Sequence, residues 1–220
     1  MDAEQFEDRD LDGAPAQDSI SLPEEGPKEE CGIFGVFAPG EEVARIAFFG
    51  LFGLQHRGQE SAGIAVSDGK SIRAHKGMGL VSQVFSELII EDLQGISAIG
   101  HTRYSTTGSS VLCNAQPITV CSPAGDLAIA HNGNLVNTNQ LRAELEDEGC
   151  SFETTNDSEL IVRLLARMET GSIEETIRTA MTRLHGAYSL IVLTPDKLIG
   201  IRDPYGVRPL CLGRINGSHY

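Results

Sequence analysis

The sharpest constraint in the chain is the change at Glu30-Cys31. Thirty residues rich in Asp, Glu, Pro, Gly, Gln and Ser give way there to Cys31-Gly32-Ile33-Phe34-Gly35-Val36-Phe37, an apolar run opened by a cysteine. Ile33 to Phe37 has the length and β-propensity of a buried strand, and the glycines beside it let another backbone or a ligand approach closely. The first thirty residues hold 11 acidic and 2 basic side chains. Their scattered single hydrophobes cannot bury enough surface to offset the entropy of ordering. A disordered acidic leader, in the manner of a propeptide, is therefore expected over 1–30, and one folded domain over 31–220. A thiol at the tip of a buried strand is held rigidly. Were the chain cut before Cys31, that residue would carry a thiol and a free α-amine of pKa about 7.7–8.0, a nucleophile and its base together. Read alone, the same cysteine also fits an inert core residue.

With 40% hydrophobic residues among 220, the chain can bury one sizeable core. No apolar run approaches the roughly 18–20 residues that cross a bilayer, and the leader lacks the order of a secretory signal or the character of a transit peptide. The expected compartment is the cytoplasm, with no membrane partner. Five cysteines, odd in number and without close CxxC pairs, read as reduced thiols rather than a disulfide framework or a zinc site. Beyond the leader the charge is only mildly acidic, with 20 acidic and 15 basic residues and no Trp. No basic stripe is offered to a phosphate backbone, so nucleic acid is not an expected partner.

Periodicity predicts a helix over 41–54, strands over 63–66 and 71–76 joined by the hairpin signal Asp68-Gly69, a helix over 81–93 and a short strand over 96–99. That strand leads into a polar loop, Gly100-His101-Thr102-Arg103-Tyr104. A further strand over 127–130 ends in His131-Asn132-Gly133-Asn134. Helices are predicted over 138–148, over 158–168 with Asn156 or Asp157 as cap, and from a capping box at Ser172 and Glu175 to about 184. Strands follow over 187–193, 198–202 and 210–214. Strands cluster towards both ends with helices grouped between, which suits an α+β arrangement of two stacked sheets with helical layers outside.

The strand ends carry what cleavage of an amide by a thiol requires. An Asn side-chain amide beside a glycine N–H, as in Asn132-Gly133, can stabilise an oxyanion, although the same dipeptide is also a common turn. Arg103 supplies a planar fork for a carboxylate, and is equally the type of residue found in surface salt bridges. Asp157 suits a helix cap.

Taken together, Cys31-Gly32-Ile33-Phe34-Gly35, Leu54-Gln55-His56-Arg57-Gly58-Gln59, Gly100-His101-Thr102-Arg103-Tyr104, Ala130-His131-Asn132-Gly133-Asn134, Asn156-Asp157-Ser158-Glu159 and Arg202-Asp203-Pro204-Tyr205-Gly206-Val207-Arg208-Pro209-Leu210 resemble the glutaminase domain of class II glutamine amidotransferases. Six motifs in the right order span about residues 31–214. Gln55-His56-Arg57-Gly58-Gln59, the Arg202–Leu210 run and the leader resemble most the branch that opens purine synthesis on phosphoribosyl pyrophosphate. The alternatives are another branch, such as glucosamine-6-phosphate synthase, and a non-catalytic glutamine-binding domain.

The resemblance implies a four-layer αββα sandwich of the N-terminal-nucleophile hydrolase type. It implies Cys31 as the N-terminal nucleophile, Asn132 and Gly133 as the oxyanion hole, Arg103 on the glutamine α-carboxylate, Asp157 on the α-amino group and Arg57 as a positioning residue lining the pocket. Hydrolysis of glutamine would need no cofactor or metal. Phosphoribosyl pyrophosphate would be met only through a transferase domain that uses Mg2+, in a full enzyme expected to be a homo-oligomer and with room for an iron–sulfur cluster. The acidic pairs Glu91-Asp92 and Glu174-Glu175 fall in predicted helices without the Gly/Thr/Ser-rich loop that a phosphoribosyl pyrophosphate site uses. The transferase domain is thus expected to be absent from these residues.

Overall fold

The computed structural model describes residues 31–104, 111–122, 125–168, 171–215 and 218–219. The leader expected over 1–30 lies outside the described residues. The elements are β1 (Gly32–Phe37), α1 (Val43–Gly53), β2 (Ser61–Ser67), β3 (Ile72–Met78), α2 (Val81–Val84), α3 (Glu87–Asp92), β4 (Ser97–Arg103), β5 (Ile118–Ser122), β6 (Gly125–Leu135), α4 (Thr138–Asp147), α5 (Asp157–Arg167), α6 (Ile173–Met181), β7 (Gly186–Leu193), β8 (Leu198–Arg202), β9 (Arg214–Ile215) and β10 (Ser218–His219). They form two sheets, in the orders β3-β2-β4-β1-β10-β9 and β5-β6-β7-β8, with every neighbouring pair antiparallel.

Side-chain alternation sorts the strands' residues between two interfaces. Val36, Ile64, Val66 and Ala98 pack with Ala47 and Leu51 of α1, Val81 and Val84 of α2 and Ile90 of α3. On the other sheet Ile129, Tyr188, Leu190 and Val192 pack with Leu141 and Leu145 of α4, Leu160, Ile161 and Leu164 of α5 and Ile177 of α6. The remaining faces meet in a thin middle layer of Ala65, Ile99, Ala128, Ala130, Ile191 and Leu193. Small residues keep that layer close: a Cβ on Gly35 would stand 3.2 Å from two carbons of Ile191. The result is the αββα sandwich, and because both sheet faces are covered, β2 is buried along its whole length. Among the described residues no helix is long and apolar enough to cross a membrane.

Five elements differ from the sequence reading. The predicted helix over 81–93 is two short helices: Phe85, buried at 4% exposure, takes an extended conformation (φ −110°, ψ 109°), and Ser86 Oγ accepts the Ile89 N–H to start α3 afresh. Strands β4 and β6 continue through the stretches read as polar loops, where His101 meets the His131 carbonyl, Arg103 meets Glu60 and His131 meets Ser158. Strand β5, with apolar residues at 118 and 120 alternating with Thr119 and Cys121, was not anticipated. No strand forms over 210–213, because the ladder of β8 ends at Arg202. The Asp203 carboxylate there accepts the backbone N–H groups of Tyr205, Val207 and Arg208 and curls the chain away.

Candidate active site

Cys31 stands immediately before β1, within the larger sheet. Its Sγ donates to the Tyr104 carbonyl at 3.5 Å, and its own carbonyl accepts from Arg57 Nε at 3.3 Å. Register pairs Gly32 with Thr102, and a Cβ on Gly32 would collide with Thr102 Oγ1 at 2.7 Å and Leu54 Cβ at 2.9 Å. Glycine beside the thiol is therefore what lets α1 and β4 close on this strand end. Burial pushes the Cys31 thiol pKa up and outweighs the pull of the nearby Arg103 guanidinium, while Asp157 adds to the rise. The thiol rests protonated at neutral pH and needs a base before it can attack.

Cys31 lines a cavity of about 1020 Å³ together with Arg57 and Asn132, with apolar walls from residues including Ile33, Leu198 and Leu210. Asn132 and Gly133 lie within β6, paired with Ser189 and Tyr188 of β7, and so are not a turn dipeptide. Gly133 has φ +152°, and a Cβ on it would meet the Ala187 carbonyl oxygen at 2.1 Å, so only glycine fits.

Arg103 ends β4 and is 3% exposed. Its guanidinium donates to Glu60 at 2.7 Å. Gly58 lets the 55–60 loop lie on this strand end, since a Cβ there would stand 2.6 Å from the Arg103 carbonyl carbon, and Glu60 N–H donates to Arg103 O at 3.0 Å. Asp157 opens α5, while the cap is Asn156, whose Oδ1 accepts the Ser158 N–H. One Asp157 oxygen lies 3.2 Å from His131 Nδ1 and the other accepts the Leu135 N–H at 3.1 Å. Burial alone would raise this carboxyl; His131 and the backbone donors outweigh it and hold it below the usual carboxylate range.

Cys31, Arg57 and Asn132 thus share one cavity, with Gly133 next in the strand. Arg103 and Asp157 are not among its wall residues, and both act on the Cys31 thiol through their charges. Glu60 and Gln116 carry site contacts that the sequence reading did not assign. Glu60 precedes a predicted strand by a few residues, but its match to Arg103 becomes visible only once Ser61 is known to pair with Arg103 across β2 and β4. Among the described residues no group of three or more His, Cys, Asp or Glu is arranged to hold a metal ion.

The glutamine amidotransferase domain family matches residues 101–220, and the chain belongs to that family. The particular relatives are amidophosphoribosyltransferases. The chain is 55% identical over 191 residues to that of Synechocystis sp., covering 85% of this chain and 38% of the relative. It is 54% identical over 194 residues to that of Synechococcus elongatus, covering 87% and 39%. Among solved structures, glutamine phosphoribosylpyrophosphate amidotransferase from B. subtilis, complexed with ADP and GMP, matches with a TM-score of 0.79 at 40% identity, over 85% of this chain and 40% of that one. The chain therefore spans about two fifths of the length of these relatives. The αββα sandwich is the N-terminal-nucleophile hydrolase fold of that enzyme's glutaminase domain.

Proposed function

We propose that this chain is the ammonia-producing part of an amidophosphoribosyltransferase, acting on glutamine with Cys31 as nucleophile. The observation that carries the reading is that Cys31 and Asn132 line one cavity. Removal of residues 1–30 would free the Cys31 α-amine to take the thiol proton. Sγ then bonds to the side-chain amide carbon of glutamine, and the oxyanion accepts from the Asn132 amide and the Gly133 N–H. The proton passes to the leaving nitrogen, ammonia departs, and water cleaves the Sγ–acyl thioester to give glutamate and the free thiol. Arg103 receives the α-carboxylate and Asp157 the α-amino group, while Arg57 holds the Cys31 carbonyl.

In the longer protein the ammonia would displace pyrophosphate from phosphoribosyl pyrophosphate, giving phosphoribosylamine for purine synthesis. Similarity to amidophosphoribosyltransferases supports that acceptor, and its site, with Mg2+, belongs to a domain beyond these residues. The test supplies a purified chain beginning at Cys31 with glutamine and measures glutamate, then supplies ammonium, magnesium and phosphoribosyl pyrophosphate and measures pyrophosphate. Glutamate formation that is lost in Cys31→Ser, without pyrophosphate release, is expected. Absence of glutamate would overturn the glutaminase reading, and pyrophosphate well above an enzyme-free control would overturn the domain boundary.

A further inference from the structure

Strand β6, which carries Asn132, outruns its neighbour β5. The last pair of their ladder nearest the site is Ile118 with Ile129, and Pro117 has no N–H with which to extend it. The register continued by two residues sets Gln116 opposite His131. There the Gln116 side-chain amide takes up both backbone groups of His131: Oε1 accepts the His131 N–H at 2.8 Å and Nε2 donates to the His131 carbonyl at 3.4 Å. A second donor, His101 Nε2 from the other sheet, reaches the same carbonyl at 3.1 Å. That carbonyl belongs to the peptide unit that joins His131 to Asn132.

The segment that bears Gln116 is itself anchored on three sides. Lys76 Nζ donates to the Ala115 carbonyl at 2.7 Å. Asn114 exchanges side-chain hydrogen bonds with Thr155, and its carbonyl accepts from Asn156 Nδ2 at 3.2 Å, next to Asp157. The Gln116 carbonyl oxygen sits where a Cβ on Gly63 would stand, 2.2 Å away. Gln116 as a whole is 4% exposed.

We infer that Gln116 is a positioning residue for the oxyanion hole: by standing in for the missing stretch of β5, it fixes the peptide plane from which Asn132 projects. The inference rests on the assignment of Asn132 to the oxyanion. A donor must sit about 2.7–3.1 Å from the place where the negative charge develops, so a small tilt of this plane costs rate without removing any group that touches substrate. Gln116→Met keeps length and bulk and removes both hydrogen bonds. It should lower kcat for glutamine hydrolysis about tenfold or more, leave KM within about twofold, and leave the rate of Cys31 alkylation by iodoacetamide unchanged.

The deciding comparison is a double-mutant cycle on the chain beginning at Cys31. If Gln116 acts through Asn132, Gln116→Met added to Asn132→Ala should cost almost nothing more, whereas a general loosening of the fold would cost the same factor in both backgrounds. Equal costs, or an unchanged kcat in Gln116→Met, would overturn the inference while leaving the Asn132 assignment standing. An unchanged kcat in Asn132→Ala alone would overturn that assignment and the inference with it. Should Gln116→Met fail to fold, Gln116→Glu, which keeps the acceptor for the His131 N–H, carries the same comparisons above the pH at which its carboxyl ionises.

Discussion

His101 of β4 donates from Nε2 to the carbonyl of His131 in β6 at 3.1 Å, a hydrogen bond that crosses from one sheet to the other. A carbonyl can only accept, so the ring carries its proton on Nε2. Nδ1 is buried and has no hydrogen-bond partner. A second proton would put an uncompensated charge in the middle layer. Burial accordingly pushes the His101 pKa down to about 3.

The pH consequence has a definite sign. In the unfolded chain His101 titrates near 6.5, so below that value the unfolded state binds a proton that the folded state refuses. Stability should fall as pH drops from about 6.5 towards 3, at up to about 1.4 kcal/mol per pH unit from this one group. Urea unfolding of the parent and of His101→Gln between pH 4.5 and 7 tests it. The variant should be less stable at pH 7 and should lose stability less steeply on acidification. Parallel slopes would show that His101 titrates alike in both states.

The raised pKa of the Cys31 thiol bears on maturation. A protonated thiol with its backbone nitrogen locked in a peptide bond to Glu30 lacks the base that a free α-amine would supply. Chain that retains residues 1–30 is therefore expected to be inactive on glutamine, and active material should have the intact mass of a chain beginning at Cys31. Full activity in protein whose mass still includes the leader would exclude the α-amine as base.

The fold was legible where one local signal was enough. The strand over 33–37, the Asp68-Gly69 hairpin, the helix over 138–148 and the Ser172 cap, whose Oγ accepts the Glu175 N–H at 3.2 Å, each follow from periodicity or turn chemistry within a dozen residues. Illegible were the features that depend on a neighbouring layer. His101, Thr102, Arg103, His131 and Asn132 read as loop because polar residues at strand ends usually meet water, yet here they are all buried. The partners of His101, Arg103 and His131, such as Ser158 Oγ at 3.1 Å from His131 Nδ1, come from distant segments. Glu60 and Gln116 were invisible for the same reason, since their roles exist only once the registers of β2 with β4 and of β5 with β6 are known.

Asn132 and Gly133 make different predictions because one contributes a side chain and the other its lack of one. Asn132→Ala should fold, keep the Cys31 thiol reactive toward iodoacetamide and lower kcat by about 10²–10³, as the loss of one oxyanion donor typically does. Gly133→Ala should instead lower stability, because the new methyl would stand 2.1 Å from the Ala187 carbonyl oxygen and β7 would have to move. Thermal melts and glutamate assays on both variants separate these effects. A Gly133→Ala protein with parental stability would mean that β6 and β7 can separate at little cost.

Arg103 and Glu60 test how the α-carboxylate is held. The guanidinium is fixed by Glu60 at 2.7 Å, with side chains 4% and 16% exposed, in a setting where orientation matters as much as charge. Lysine at 103 would keep the charge and lose the planar fork, so glutamine should bind more weakly while the thiol remains reactive. Arg103→Lys is expected to raise KM for glutamine at least about tenfold, with a smaller change in kcat. Glu60→Gln keeps a hydrogen-bond acceptor but removes the charge that orients the guanidinium, so its KM should lie between the parent and Arg103→Lys. Combining the two should cost less than the product of the single effects, since both act on the same grip. Steady-state kinetics on the three variants, with iodoacetamide alkylation as the check on Cys31, measure this directly, and an unchanged KM in Arg103→Lys would move the carboxylate site away from Arg103.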